Sequence, residues 1–184
     1  MAPGKDVRLH LDREGLKADF LARHGLGEAL RIPLAGDAST RRYERLSRPG
    51  KASLIFMDQP PVETAPCPPD ASPEQRRLAG YNAMARLAAG RVDAFVATAG
   101  WLRDQGLSAP EIVAHTAGDG LAVLEDLGDD LYARLFETGT DEAPLYDAAV
   151  EVLARLHEAA PPPVLEAQGA AWPFLTYEIG RAHV

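Results

Sequence analysis

Apolar positions along this chain follow a helical period first, then short strand-like runs, then a helical period again. From Glu14 to His24, Leu16, Phe20 and Leu21 share one face, and Gly25 suits a helix C-terminal cap. From Ala29 to Asp58 the pattern predicts a three-stranded antiparallel meander with a glycine turn at its first corner. Ser47-Arg48-Pro49-Gly50 supplies the second corner, and Pro60-Pro61 stops the third strand after Asp58. Val62 to Pro73, rich in proline and small residues, predicts a loop or linker. Helical spacing returns at Leu78, Tyr81, Met84, Ala85 and Leu87 within Glu74–Gly90. A further helix over Val92–Gln105 carries Phe95, Ala99 and Leu102 on one face and closes at Gly106.

Glu111–His115 and Leu121–Glu125 then read as a hairpin across Ala117-Gly118-Asp119-Gly120, completing a five-stranded antiparallel sheet. Past Gly128 the pattern is helical over Asp130–Glu137 and Ala143–Ala159. Leu145, Ala149, Val152, Leu153 and Leu156 line the second of these, which Pro161-Pro162-Pro163 ends. No internal repeat is visible. A strand-rich half followed by a helix-rich half predicts an α+β fold, a small sheet lobe joined to the opening helices of a larger one.

Composition narrows the functional classes. The chain has 184 residues, enough for a real core, and suits one domain or a small two-lobed unit. With Lys+Arg 19 against Asp+Glu 27, its net charge of −8 argues against non-specific nucleic-acid or anionic-membrane partners. No apolar run approaches the ~20 residues of a membrane helix, and the N-terminus lacks a signal-peptide core, so a cytoplasmic location is expected. The lone Cys67, between Pro66 and Pro68, excludes an internal disulfide and reads as a loop thiol.

The chemistry concentrates in Gly36-Asp37-Ala38-Ser39-Thr40-Arg41-Arg42-Tyr43. Small residues let the backbone approach a ligand, and successive amide N–H groups in such a turn can cradle an anion. A strand with two arginines follows, and a planar guanidinium pairs well with phosphate. Strand alternation sends Thr40 and Arg42 one way and Arg41 and Tyr43 the other, without saying which side faces a ligand. A plain turn between two strands, with solvated arginines, is the other reading of these residues. A second cluster, Leu124-Glu125-Asp126-Leu127-Gly128, ends the fifth strand in two carboxylates and a glycine. There the other reading is of solvated charges, with Asp126 or Asp129 capping the next helix.

Gly36 to Tyr43, Met57 to Pro61 and Leu124 to Gly128, in that order, resemble the motifs of the aminoglycoside phosphotransferase-like kinase family. The likeness points in particular to its bacterial branch of sugar kinases acting at the anomeric position of N-acetylmuramate and N-acetylglucosamine. It runs from about Phe20 to Tyr177. It implies a protein kinase-like fold, with a nucleotide-binding N-lobe over residues 1–125, then the hinge and the start of a helical C-lobe over 126–177. It implies ATP and Mg2+ as cofactors and a sugar as the small-molecule substrate. Gly36, Asp37, Ala38, Ser39, Thr40, Arg41 and Arg42 would meet the phosphates, and Glu125, Asp126 and Leu127 the adenine edge. Protein kinases carry a phosphate-pairing lysine on the third strand. Here Met57 and Asp58 stand at the end of that strand, as in the sugar-kinase branch, and Arg41 or Arg42 is the natural replacement.

The resemblance also exposes a gap. Such kinases need a His-x-Asp-x-x-x-x-Asn loop, whose Asp takes the acceptor proton, and a later metal-binding Asp. Only His10-Leu11-Asp12 begins that way, at the wrong end of the chain and with Lys17 in place of Asn. No catalytic or metal-ligating residue is therefore assigned, and the chain is expected to be an N-terminal fragment without turnover. Glu178 to Val184 departs from the family pattern and reads like a translated sequencing adapter, hence as a non-native tail; a natural frayed terminus is the alternative. A non-catalytic nucleotide-binding or scaffold module and an aminoglycoside antibiotic kinase are the rival functions.

Overall fold

Residues 12–35, 41–60, 72–79 and 91–173 are described by a computed structural model. It divides into two compact units, one of residues up to Val92 with Val113–Leu124, the other of Asp93–Ile112 with residues from Glu125 onward.

The first unit is built on helix α1, Arg13–Arg23, and strands β1 (Leu30–Pro33), β2 (Arg42–Ser47) and β3 (Leu54–Asp58). Helix α1 begins one residue earlier than its apolar period predicts, because the Asp12 carboxylate caps it by accepting from Gly15 N at 2.8 Å. It ends as its sequence predicts. Gly25 takes a φ of +70°, where a side chain would be strained. Gly25 N then donates to Ala22 O, and Leu26 N to Leu21 O. Short helix α2, Pro73–Ala79, starts at the proline itself. Ser72 Oγ accepts from Gln75 N and Gln75 Oε1 accepts from Ser72 N, which satisfies two donors reciprocally. The remainder of the helix expected over Glu74–Gly90 lies outside the described residues.

Strands β4 (Ile112–Thr116) and β5 (Leu121–Glu125) complete the five-stranded antiparallel sheet, in the order β1-β2-β3-β5-β4. Phe20, Leu21 and Leu26 from α1 and its cap pack with Leu46, Phe56, Ala114, Leu121 and Val123 of the sheet. Phe20 stacks on Phe56 with ring centroids 6.1 Å apart. Met57, Ala122 and Leu124 are buried as well, so the middle of the sheet is covered on both faces.

In the second unit, helix α3 spans Val92–Asp104 and ends at Gly106 by the same pair of backbone bonds as α1. Its buried residues are Val92, Ala94, Val96, Ala97 and Ala99, whereas the expected anchors Phe95 and Leu102 are only half-buried. Small side chains, not the large ones, therefore set its packing surface. Helix α4 is shorter than expected, Tyr132–Glu137, because Leu131 at its N-cap is extended. Helix α5, Glu142–Glu158, is capped by Asp141, whose carboxylate accepts from Ala143 N. Of its expected apolar face, Leu145, Ala149 and Leu156 are half-buried, while Val152 and Leu153 are exposed.

Beyond the three prolines lies a hairpin the hydrophobic pattern did not predict, β6 (Val164–Ala167) and β7 (Ala170–Pro173). Gln168 and Gly169 form its two-residue turn, both with positive φ, which matches the right-handed twist of the strands. The hairpin buries Leu165 and Ala170 and lies against α3. A β-carbon built on Gly100 would come within 2.3 Å of Ala167 Cβ. Gly100→Ala would gain about 1 kcal/mol of helix propensity but force an overlap costing about 1–3 kcal/mol. Thermal denaturation should show Gly100→Ala less stable than the parent, and the Gly100→Ala/Ala167→Gly pair should recover part of that loss; a single variant as stable as the parent would contradict the contact.

Candidate functional site

The cross-strand register decides which side of the sheet each arginine occupies. Arg42 pairs with Asp58, Glu44 with Phe56 and Leu46 with Leu54, and side chains directly opposite share a face. Leu46 and Phe56 pack under α1, so Arg42 belongs to the α1 side of the sheet. Tyr43, opposite Met57, lies on the other side, and alternation puts Arg41 with it. Arg42 is exposed and Arg41 half-buried. Gly36, Asp37, Ala38, Ser39 and Thr40 lie outside the described residues. Strands β1 and β2 are paired as far as Pro33 opposite Glu44, and Leu34 N donates to Tyr43 O at 2.9 Å.

On the α1 side the structure assembles a charge network that no sequence motif announces. Lys17, 5% exposed, sits among three carboxylates: Glu14 Oε1 at 2.6 Å, Glu44 Oε1 at 2.8 Å and Asp58 Oδ2 at 3.6 Å. Arg31 pairs with Glu44 through two nitrogens and with Glu14 at 3.0 Å. Arg13 pairs with Asp58 and also donates to the carbonyls of Asp119 and Gly120 in the β4–β5 turn. Arg13, Lys17 and Arg31 thus balance Glu14, Glu44 and Asp58, joining α1 to β1, β2 and β3. The Lys17 ammonium and the Arg31 guanidinium each lie 5.9 Å from the Phe56 ring centroid. One signal for this was available in sequence. Lys17 shares the helical face of Phe20 and Leu21, where a lone cation must find carboxylates.

The network perturbs its members. Hydrogen bonds from Arg31, against the opposing effect of burial, and then from Lys17, hold Glu44 down to about 2. The bond from Lys17 leads in lowering Glu14, again against burial. Burial pulls the Lys17 ammonium down, but bonds to Glu14 and Glu44 outweigh it and leave its pKa raised. The assignment also explains Asp58. Its carboxylate is occupied by Arg13 and Lys17 on the α1 side, so it serves the packing of α1.

Glu125, Asp126 and Leu127 belong to the second unit. Glu125 closes β5, its N–H donating to Glu111 O at 2.8 Å. Its carboxylate accepts from Glu111 N at 3.0 Å and from Arg103 at 3.5 Å, and Arg103 also holds Ala109 O. Asp126 Oδ1 accepts from Gly128 N at 3.0 Å, forming a local turn. Neither Asp126 nor Asp129 caps α4, whose N-cap residue is Leu131 with no side-chain cap bond. Leu127 is exposed. Both carboxylates are thus engaged with groups close by in sequence or space.

Among the described residues no group of three or more His, Cys, Asp or Glu is placed to hold a metal ion. Asp12, the single match to the catalytic-loop pattern, is the cap of α1. No helix among the described residues is long and apolar enough to cross a membrane.

Five antiparallel strands with α1 laid on one face are the arrangement of the N-lobe of a kinase-like phosphotransferase. The chain belongs to the phosphotransferase enzyme family, whose model matches residues 31–179. It is similar to the N-acetylmuramate/N-acetylglucosamine kinase of Caulobacter vibrioides, 65% identical over 173 residues, a match taking in 94% of this chain and 47% of that protein. The kinase of the same name from Pseudomonas aeruginosa is 30% identical over 138 residues, 73% of this chain and 32% of that one. The chain therefore spans about half or less of the length of these curated relatives.

The depressed Glu44 pKa sets a pH dependence. A carboxylate held at about 2, against an ordinary value of 4.5, stabilises the fold fully above pH 4.5. That contribution is lost as pH falls from about 4.5 to about 2 and, allowing for partial solvent screening, is on the order of 2 kcal/mol. Urea unfolding should find Glu44→Gln weakened by roughly that amount at pH 7 and nearly equal to the parent at pH 2. Parallel stability curves across that window would show that the pairs carry no net weight.

Proposed function

We propose that this chain is the nucleotide-binding part of an amino-sugar kinase, which transfers the γ-phosphoryl group of ATP to a sugar hydroxyl in cell-wall recycling. The observation that carries this reading is the 65% identity to a protein named N-acetylmuramate/N-acetylglucosamine kinase, spread over 94% of the chain. Residues 36–40, with Arg41, meet the phosphates of ATP, and the main chain of Glu125, Asp126 and Leu127 meets the adenine edge. The division between N-lobe and C-lobe falls near residue 125. Arg41 is favoured over Arg42 for phosphate pairing because Arg42 lies on the side of the sheet that α1 covers. The partners are ATP and a small sugar, without nucleic acid or membrane, and the location is cytoplasmic.

Mg2+, when bound, neutralises charge on the transferring phosphoryl group. Its ligands, and the base that takes the hydroxyl proton, are assigned to chain that the relatives carry beyond the matched stretch. What this chain's own residues do is orient ATP and shield its phosphates, the positioning half of the catalysis. Residues 1–184 by themselves accordingly lack turnover and hold nucleotide weakly.

A sugar-phosphorylation assay with MgATP and N-acetylmuramate or N-acetylglucosamine should find the 184-residue chain inactive and the chain continued by the C-terminal part of the Caulobacter kinase active. In that extended enzyme, loss of one charge-assisted phosphate bond predicts about a tenfold fall in kcat/KM for ATP in Arg41→Gln and less than about twofold in Arg42→Gln. Turnover by the 184 residues alone, or equal effects at the two arginines, would overturn the corresponding part of the reading.

A further inference from the structure

Helix α5 has the sequence of a helix surrounded by protein. At about 100° per residue, Asp147, Glu151, Arg155 and Glu158 fall within an arc of about 80°. Apart from Glu142 in the first turn and His157 in the last, the remaining circumference is apolar. Such a helix is ordinarily enclosed in a core. Yet none of its residues is buried: the stripe through Leu145, Ala149 and Leu156 is half-covered, and the neighbouring stripe through Tyr146, Val150 and Leu153 is 53%, 63% and 53% exposed. Helix α4 extends the bare surface, since Tyr132, Phe136 and Tyr146 form an aromatic triad with centroids 5.7–6.3 Å apart. The Tyr132 hydroxyl donates to Leu145 O at 2.9 Å, which ties the two helices into one surface. A contiguous, pre-ordered apolar surface of this kind marks an interaction site.

The length of the relatives says what covers it. This chain accounts for 47% of the Caulobacter kinase, so that protein carries about as much polypeptide again beyond the matched part. We propose that the Tyr146–Val150–Leu153 face of α5, continued by Tyr132 of α4, is the seat on which that further polypeptide folds. The assignment rests on family membership and does not depend on which substrate the kinase takes. The charged arc of α5 stays in water, and the apolar arc becomes core.

Thiol labelling tests this without an activity assay. In a Cys67→Ala background, Val150→Cys and Glu151→Cys are compared in the 184-residue chain and in the chain continued by the C-terminal part of the Caulobacter kinase. Maleimide should label both positions freely in the short chain; in the extended chain it should label the Val150→Cys variant at least about tenfold more slowly and the Glu151→Cys variant unchanged. Equal rates for Val150→Cys in the two chains would overturn the proposal. So would equal slowing at both positions. Concentration-dependent protection already present in the short chain would overturn it in favour of a second copy as the occupant. Independently of thiol chemistry, Val150→Asp should leave melting of the short chain unchanged and lower that of the extended chain; an unaltered extended chain would count against the seat.

Discussion

The Lys17 ammonium, taken almost out of water among Glu14, Glu44 and Asp58, is the constraint on which the first unit depends. Desolvating one cation and several carboxylates is unfavourable unless each finds partners at short range. This placement of α1 over β1–β3 provides them, with Arg31 of β1, Glu44 of β2 and Asp58 of β3 meeting Arg13, Glu14 and Lys17. Apolar contacts of Phe20 and Leu21 would tolerate some sliding of the helix on the sheet. The ion pairs do not, and they thereby define the side of the sheet on which every alternate residue of β2 lies. Arg13 extends the same constraint to the β4–β5 turn through the Asp119 and Gly120 carbonyls.

That placement fixes where the neighbouring charges go. Asp58, at the end of the third strand where protein kinases keep a phosphate-pairing lysine, is committed to α1. Arg42 goes to the same side, and alternation puts Arg41 and Arg45 on the other. In the second unit, Glu125 is likewise committed, to Glu111 and Arg103, so β5 ends in a braced strand whose outward chemistry is main-chain. In both units the charged side chains nearest the motif segments are engaged in holding one element against another.

Much of the fold was legible in the residues because local rules govern it. Gly25 and Gly106 end their helices with the backbone bonds that only a left-handed residue permits easily, and Pro49-Gly50 turns the meander where expected. The three linked motifs carried the family. The β6–β7 hairpin was not legible, since four-residue strands contain too few positions to establish alternation, and Gln168-Gly169 is a weak turn signal beside Asn-Gly. The packing of α3 was misjudged for a different reason. Periodicity weights large side chains, whereas the close approach at Gly100 selects small ones.

By itself the sequence determined the order of elements as far as α5, the antiparallel meander, the helix ends at Gly25 and Gly106 and the kinase-like family, because each follows from contacts between residues near one another in the chain or from a contiguous motif. Only the tertiary structure decided which face of β2 each arginine occupies, that Lys17 is a buried cation shared by two elements, and that the apolar stripe of α5 stands bare. Those outcomes depend on cross-strand register and on what lies against a surface, and neither is encoded within any one segment.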